Sequence, residues 1–141
     1  MAVKKETTVN PLILNSLYII AAIIGVLAII LALAQLNDSP IPFISGNREA
    51  FYALAIIGFA SCSFAMYASG ELYGWLDPIH ILATVIGVLL MVLVGAVFFQ
   101  IQLPFVSDDQ TAFLVLAVLI LVKLVITNGQ RILDLAGILY N

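Results

Sequence analysis

Lys123, His80, Cys62 and the neighbours Arg48 and Glu49 are the side chains whose types could do chemistry in this sequence. Lys123 stands out because the surrounding run from Thr111 to Thr127 carries no other charge. A charge at the centre of a membrane helix costs about 2.5–3.5 kcal/mol on insertion scales, so it needs a compensating group. Three readings are open. The ammonium could snorkel toward Asn128, although helical side chains lean toward the helix N-terminus and so the other way. It could pair within the chain, where Glu71, Asp77 and Asp134 belong to the same side, or with a partner chain, an anionic substrate or a lipid headgroup. It could also serve a transport or proton-relay path.

His80 follows Asp77-Pro78 at the start of a helix, and one histidine supplies neither a bis-histidine haem nor a metal set. It is expected to sit at the membrane interface. Cys62 has no partner cysteine and reads as a small packing residue. Arg48 and Glu49 are expected to pair locally or to border an outer site. No nucleophile–base pair, carboxylate pair or glycine-rich phosphate loop can be assembled. The expectation is a protein that is not an enzyme, with no cofactor and no metal.

These residues are set in a chain of 141 that is 64% apolar and 9% charged, against roughly 45–50% and about 25% in soluble domains. So little polar surface cannot cover a water-soluble core. The mean hydropathy of +1.21 places the chain in the membrane class. A net charge of -3 without a basic patch gives no reason to expect nucleic acid.

Four segments are long enough to cross about 30 Å of hydrocarbon. They run from Asn10-Pro11 to about Leu36, about Asn47 to Ser69, Asp77-Pro78 to about Ile101, and about Asp108 to Asn128. The first is too long for a signal-peptide core and reads as a retained helix. Asn10 and Asp77 are N-caps followed by proline, Ser45 and Ser107 are candidate N-caps, and Gly70 and Gly129 are candidate helix ends. Tyr67, Tyr73 and Trp75 fit interfacial anchors. Lys4, Lys5 and Arg131 fall on one side and Arg48 on the other, so both termini are expected in the cytoplasm, in a bacterial or archaeal plasma membrane. The segment 132–141 alternates polar and apolar residues, and a short interfacial helix accounts for it.

The chain also repeats itself at a shift of 62 residues. Pro42-Phe43-Ile44-Ser45 returns as Pro104-Phe105-Val106-Ser107, Ala50-Phe51 with Leu54-Ala55 as Ala112-Phe113 with Leu116-Ala117, and Ile24-Gly25-Val26-Leu27 as Ile86-Gly87-Val88-Leu89. Apolar composition explains helical identities but not the loop motif. Residues 11–69 therefore read as one helix–loop–helix unit and 73–131 as its copy. Both copies enter the membrane in the same direction, giving a parallel repeat. The paired loops, with Pro42, Phe43, Ser45, Arg48, Glu49, Pro104, Phe105 and Ser107, are architectural or form an outward site.

Small residues mark helix contacts in lipid. Ala21, Gly25, Ala28 and Ala32 make such a stripe in the first helix, Gly58, Cys62, Ala65 and Ser69 in the second, with Ala83 and Gly87 in the third. The fourth, rich in Leu, Val and Ile, is expected to have the most lipid contact or to meet a partner chain. Small multidrug exporters need a glutamate in the first helix, thiol oxidoreductases of the membrane and claudin-like proteins need paired cysteines, and this chain has none of these. The fold expected is an all-α membrane protein of four transmembrane helices. The function expected is a non-catalytic subunit or scaffold, packed against membrane lipids, a membrane-protein partner or copies of itself. The alternatives are a small transporter or channel with its path at the repeat interface, and a binder of lipid or a hydrophobic cofactor.

Overall fold

The computed structural model describes residues 7–140, which form four α-helices joined by short loops. Lys4, Lys5 and Asn141 lie outside the described residues. Helix α1 spans Pro11–Leu36, α2 Asn47–Tyr73, α3 Pro78–Phe98 and α4 Asp109–Leu135. The shortest, α3, has 21 residues, or about 31 Å at about 1.5 Å per residue. All four are long and apolar enough to cross a membrane, as an integral membrane protein requires. Two ends can be distinguished: a terminal end, where α1 starts, α4 finishes and α2 turns into α3, and a loop end, where residues 37–46 and 99–108 connect the helices.

The helix ends follow from local hydrogen bonding. Asn10 Oδ1 accepts from Leu12 N, Asp77 Oδ1 from Ile79 N and His80 N, and each is followed by proline at the first helical position. The other two caps lie one residue after the serines. Gly46 caps α2 without a side-chain bond, while Glu49 reaches back to accept from Ser45 N and Oγ at 2.7 and 2.8 Å. Asp108 caps α4 by accepting from Thr111 N at 2.7 Å, which holds its carboxyl below the usual carboxylate range. A carboxylate outcompetes a hydroxyl for a helix N-terminus, so Ser107 stays outside.

The C-termini also differ from the glycine rule. Gly70 and Gly129 are interior to α2 and α4, which continue to Tyr73 and Leu135. α3 stops at Phe98, short of Ile101. Both α1 and α3 close in a Schellman motif whose left-handed residue is not glycine. Asp38 (φ 51) and Gln100 (φ 57) take that role, with Ser39 N donating to Ala34 O at 2.9 Å and Ile101 N to Ala96 O at 2.8 Å. Each loop then turns at Ile41–Ile44 and Leu103–Val106. α4 ends the same way at Gly137 (φ 69), after which the chain folds back to bury Tyr140. Residues 132–141 thus contain no separate interfacial helix among those described. Four belong to α4 and the next ones form a turn.

The helices do not form a square. α2 and α4 pair at the centre, α1 packs along α2, α3 packs along α4, and α1 and α3 do not touch. The fourth helix is therefore a central element, and α1 and α3 carry more of the outward apolar surface. The small residues explain how α2 approaches α4 and how α1 approaches them both. A Cβ on Gly58 would collide with the Ile120 side chain, and one on Gly25 would lie 3.0 Å from Leu124 and 3.3 Å from Ser61 Oγ. Ala21, Gly25, Ala28, Gly58, Cys62, Ala65 and Ser69 are buried, and Ala32 and Gly87 are half-buried. At the loop end the core is Ala50, Phe51, Leu54, Leu90, Leu93, Ala112, Phe113, Leu116 and Ile120.

Gly58→Ala should force Ile120 off its position and destabilise the bundle by about 1–3 kcal/mol, the usual range for overpacking. Unfolding in mixed detergent measures this, and Ile120→Val in the same chain should restore part of the loss.

Candidate functional site

Polar side chains from all four helices meet at the terminal end. Asp77, held at the start of α3 by its capping role, is the centre of one group. Gln130 of α4 donates from Nε2 to Asp77 Oδ1 (3.0 Å) and to Tyr140 Oη (2.7 Å), and Tyr140 donates to Asp77 Oδ2 at 2.9 Å. Ser69 of α2 donates to Gln130 Oε1 at 2.9 Å, and His80 Nδ1 lies 3.3 Å from Ser69 Oγ. Since the serine proton is committed to Gln130, Nδ1 must donate to Ser69 for both contacts to be hydrogen bonds. Trp75 covers the imidazole edge-on at 5.2 Å and lies against Gly70, where a Cβ would be 2.8 Å from the indole. His80, in the first turn of α3, is thus a buried member of a network.

A second group joins α1 to α2 and α4. Arg131 Nη1 pairs with Asp134 at 2.7 Å, Nη2 donates to Asn15 Oδ1, and the guanidinium lies 5.9 Å from the centre of the Tyr18 ring. Tyr73 Oη donates to Asp134 at 2.8 Å, and its ring stacks on Tyr140 at 4.5 Å. Tyr18 Oη is buried without a hydrogen-bond partner among the described residues. Of these side chains, Tyr140 carried no signal in the sequence, and Gln130 only a weak one. A glutamine two turns beyond Lys123 on the same face of α4 was the one available clue.

Lys123 lies deeper. It is 3% exposed, so it does not snorkel. Glu71, Asp77 and Asp134 form no ion pair with it, and its Nζ instead points at Met66 Sδ, 2.9 Å away. The ammonium occupies the space that a side chain on Gly87 would fill. Thr127 Oγ1, the next polar group toward the terminal end, is spent on Lys123 O at 2.8 Å. Beyond Lys123 toward the loop end the core is apolar: Ile120, Leu116, Leu54, Phe51 and Phe113.

The loop residues are brought together only in part. Arg48 and Ser107 border one small hollow with Asp108 and Asp109. Pro42, Phe43, Pro104 and Phe105 are exposed at the two turns, with Phe43 in the left-handed region (φ 67). Glu49 binds Ser45 in place of Arg48. A larger crevice of about 600 Å³ opens between α2 and α3, bordered by Tyr52, Phe59, Leu90, Gly95 and Phe98. Among the described residues, no group of three or more His, Cys, Asp or Glu side chains converges on a point.

No family model matches the chain, and no curated protein or solved structure is significantly similar to it.

Two outcomes follow for this end of the bundle. Burial pushes the Tyr140 phenol up to about 12, with the Asp77 carboxylate adding to the rise and the Gln130 hydrogen bond opposing it. A raised pKa favours the neutral phenol in the folded state, so its contribution is complete below pH 10 and lost as pH rises from 10 to about 12. Alkaline unfolding of the chain should show this loss, and Tyr140→Phe should flatten it while costing about 1–2 kcal/mol at neutral pH. Lys123→Met should leave the fold as stable as before or more so, because it replaces a buried cation lacking a counter-charge with an apolar group of similar length. Thermal midpoints in detergent distinguish this from a Lys123 that anchors the fold.

Proposed function

We propose that the chain is a duplicated helical hairpin that serves as a non-catalytic membrane subunit, packing against a larger membrane protein or against copies of itself. The observation that carries this reading is the division of the interior. Polar groups fill the terminal end and bond to one another, while the loop-end half of the core is closed by Phe51, Leu54, Phe113, Leu116 and Ile120. A conduction path needs a passage that water or ions can enter, and these residues pack against one another as one apolar cluster. With the inside committed to packing, the outside faces of α1 and α3 are left for contact. They carry Ile19, Ile23, Val26 and Ile30 on one and Val85, Val88, Leu89 and Val92 on the other.

Duplication is supported by equivalent positions that do equivalent things. Asp38 and Gln100 both take positive φ, and the turns at Ile41–Ile44 and Leu103–Val106 match. Gly25 lies beside Ser61 as Gly87 lies beside Lys123, and Gly58 meets Ile120, its own counterpart at the shift of 62. A contact between a residue and its counterpart belongs on a twofold axis. On this reading the axis runs between α2 and α4 along the membrane normal. Arg131 at the terminal end, with Lys4 and Lys5 in the sequence before it, supports cytoplasmic termini.

Purification in mild detergent followed by native mass spectrometry tests the subunit role. A stoichiometric membrane partner or a defined homo-oligomer is expected, and a lone monomer would overturn the reading. In liposomes the chain should pass no more protons or ions than empty vesicles do. A second reading is supported by the crevice between α2 and α3, which lies between the two halves and suits a hydrophobic cofactor. Solvent extraction of the purified chain would then release one apolar molecule per polypeptide.

A further inference from the structure

We propose that the groove between α1 and α4 binds one anionic phospholipid from the leaflet on the terminal side, its phosphate at Asn15, Asn128 and Arg131 and an acyl chain lying toward Leu121. This goes beyond the subunit reading and does not depend on it.

α1 and α4 touch little, and the space between them is a run of connected hollows. The first, about 500 Å³, is bordered by Asn15, Tyr18, Asn128 and Arg131, with Ala22 and Ile132. Ala22, Asn128 and Ile132 also border the second, about 380 Å³, which continues along Gly25, Leu124 and Gly129 to Ile29 and Leu121. From Ile132 to Leu121 is 132 − 121 = 11 residues, about 16 Å of helix. The part inward of Asn128, about 10 Å of helix, fits within the half of about 30 Å that one leaflet's hydrocarbon occupies.

The polarity of the groove has the order of a phospholipid. At its terminal end the guanidinium uses three of its N–H groups, two on Nη1 toward Asp134 and Tyr73 and one on Nη2 toward Asn15 Oδ1. Nε and one hydrogen on Nη2 have no acceptor among the described residues. Asn15 accepts through Oδ1, and its amide nitrogen has no acceptor among the described residues. Asn128 Nδ2 is held by Leu124 O at 2.8 Å, which anchors that side chain at the groove. A guanidinium beside amide donors is the chemistry that binds a phosphate. No carboxylate borders these hollows, so a choline or ethanolamine ammonium would find no counter-charge there. Asp134, the nearest acid, is engaged with Arg131 and Tyr73.

Gly129 keeps this groove open, as Gly95 does the crevice between α2 and α3. A Cβ on Gly129 would meet nothing within 4 Å, so no contact among the described residues demands glycine inside a helix, where it is unfavourable relative to alanine. Its place between Asn128 and Arg131 leaves α4 open where the headgroup and the start of an acyl chain would lie. The corresponding crevice between α2 and α3 has no cation along it, which makes it the internal control.

The test is native mass spectrometry of the delipidated chain titrated with dioleoylphosphatidylglycerol and, separately, dioleoylphosphatidylcholine. One phosphatidylglycerol should bind about tenfold more tightly than phosphatidylcholine, because both present a phosphate to Arg131 but the choline ammonium is then left beside a guanidinium with no carboxylate lining the hollow. Asn15→Asp keeps the Arg131 contact and the fold but turns a carboxylate toward the phosphate, and should abolish the preference. Gly129→Leu should fill the groove beside the phosphate and weaken both lipids, while Gly95→Leu in the opposite crevice should change neither. Soluble glycerol phosphate should not displace the lipid. Equal affinity for the two lipids, a preference that survives Asn15→Asp, or displacement by glycerol phosphate would each overturn the proposal.

Discussion

The close approach of α2 to α4 is the contact on which the rest of the bundle depends. It is possible because Gly58 has no side chain where Ile120 lies. In hydrocarbon, apolar burial drives little association, and the gain comes from dispersion at short range between well-fitted surfaces. Once these two helices are together, α1 and α3 have one place each. They flank the central pair without meeting, and the grooves at α1/α4 and α2/α3 are the consequence.

Polar groups are distributed by the same constraint. An unbonded polar group is expensive where no water is at hand, so the terminal-end side chains must satisfy one another across helices. Asp77 shows how one residue serves two levels of structure. Its Oδ1 begins α3 by capping and also receives Gln130, while Oδ2 receives the tail through Tyr140. The network therefore ties α2, α3, α4 and the tail at a single end. Lys123 is the exception. It is shielded by Met66 and seated over Gly87 without an acidic neighbour, so it reads as a tolerated cost of the bundle or as the place where an outside group contributes.

Helix existence was legible because it depends on local composition. Four apolar runs, proline after Asn10 and Asp77, and small residues at close spacing have direct physical meanings that need no tertiary context. The ends were less legible. Asp38 and Gln100 adopt the left-handed conformation usually left to glycine, and a carboxylate at Asp108 displaced the serine next to it as the cap. Asp38 and Gln100 are of adequate but not ideal propensity and were chosen by the loop closure around them, while Asp108 is a strong cap with another strong cap beside it.

The candidate site was legible only as separate letters. His80, Asp77, Ser69 and Arg131 could be singled out by type, yet nothing in their spacing said that Gln130 and Tyr140 would join them. Hydrogen bonds between residues 53 to 63 positions apart depend on how helices cross and rotate. Rotation is set by which small residues face which large ones, a property of pairs of surfaces. The sequence by itself therefore determined four helices apolar enough for a bilayer, since length and hydropathy are summed along the chain. Only the tertiary structure decided that α4 is central, that Lys123 is buried against Gly87, and that the polar groups close one end, because each of these depends on the facing of one helix toward another.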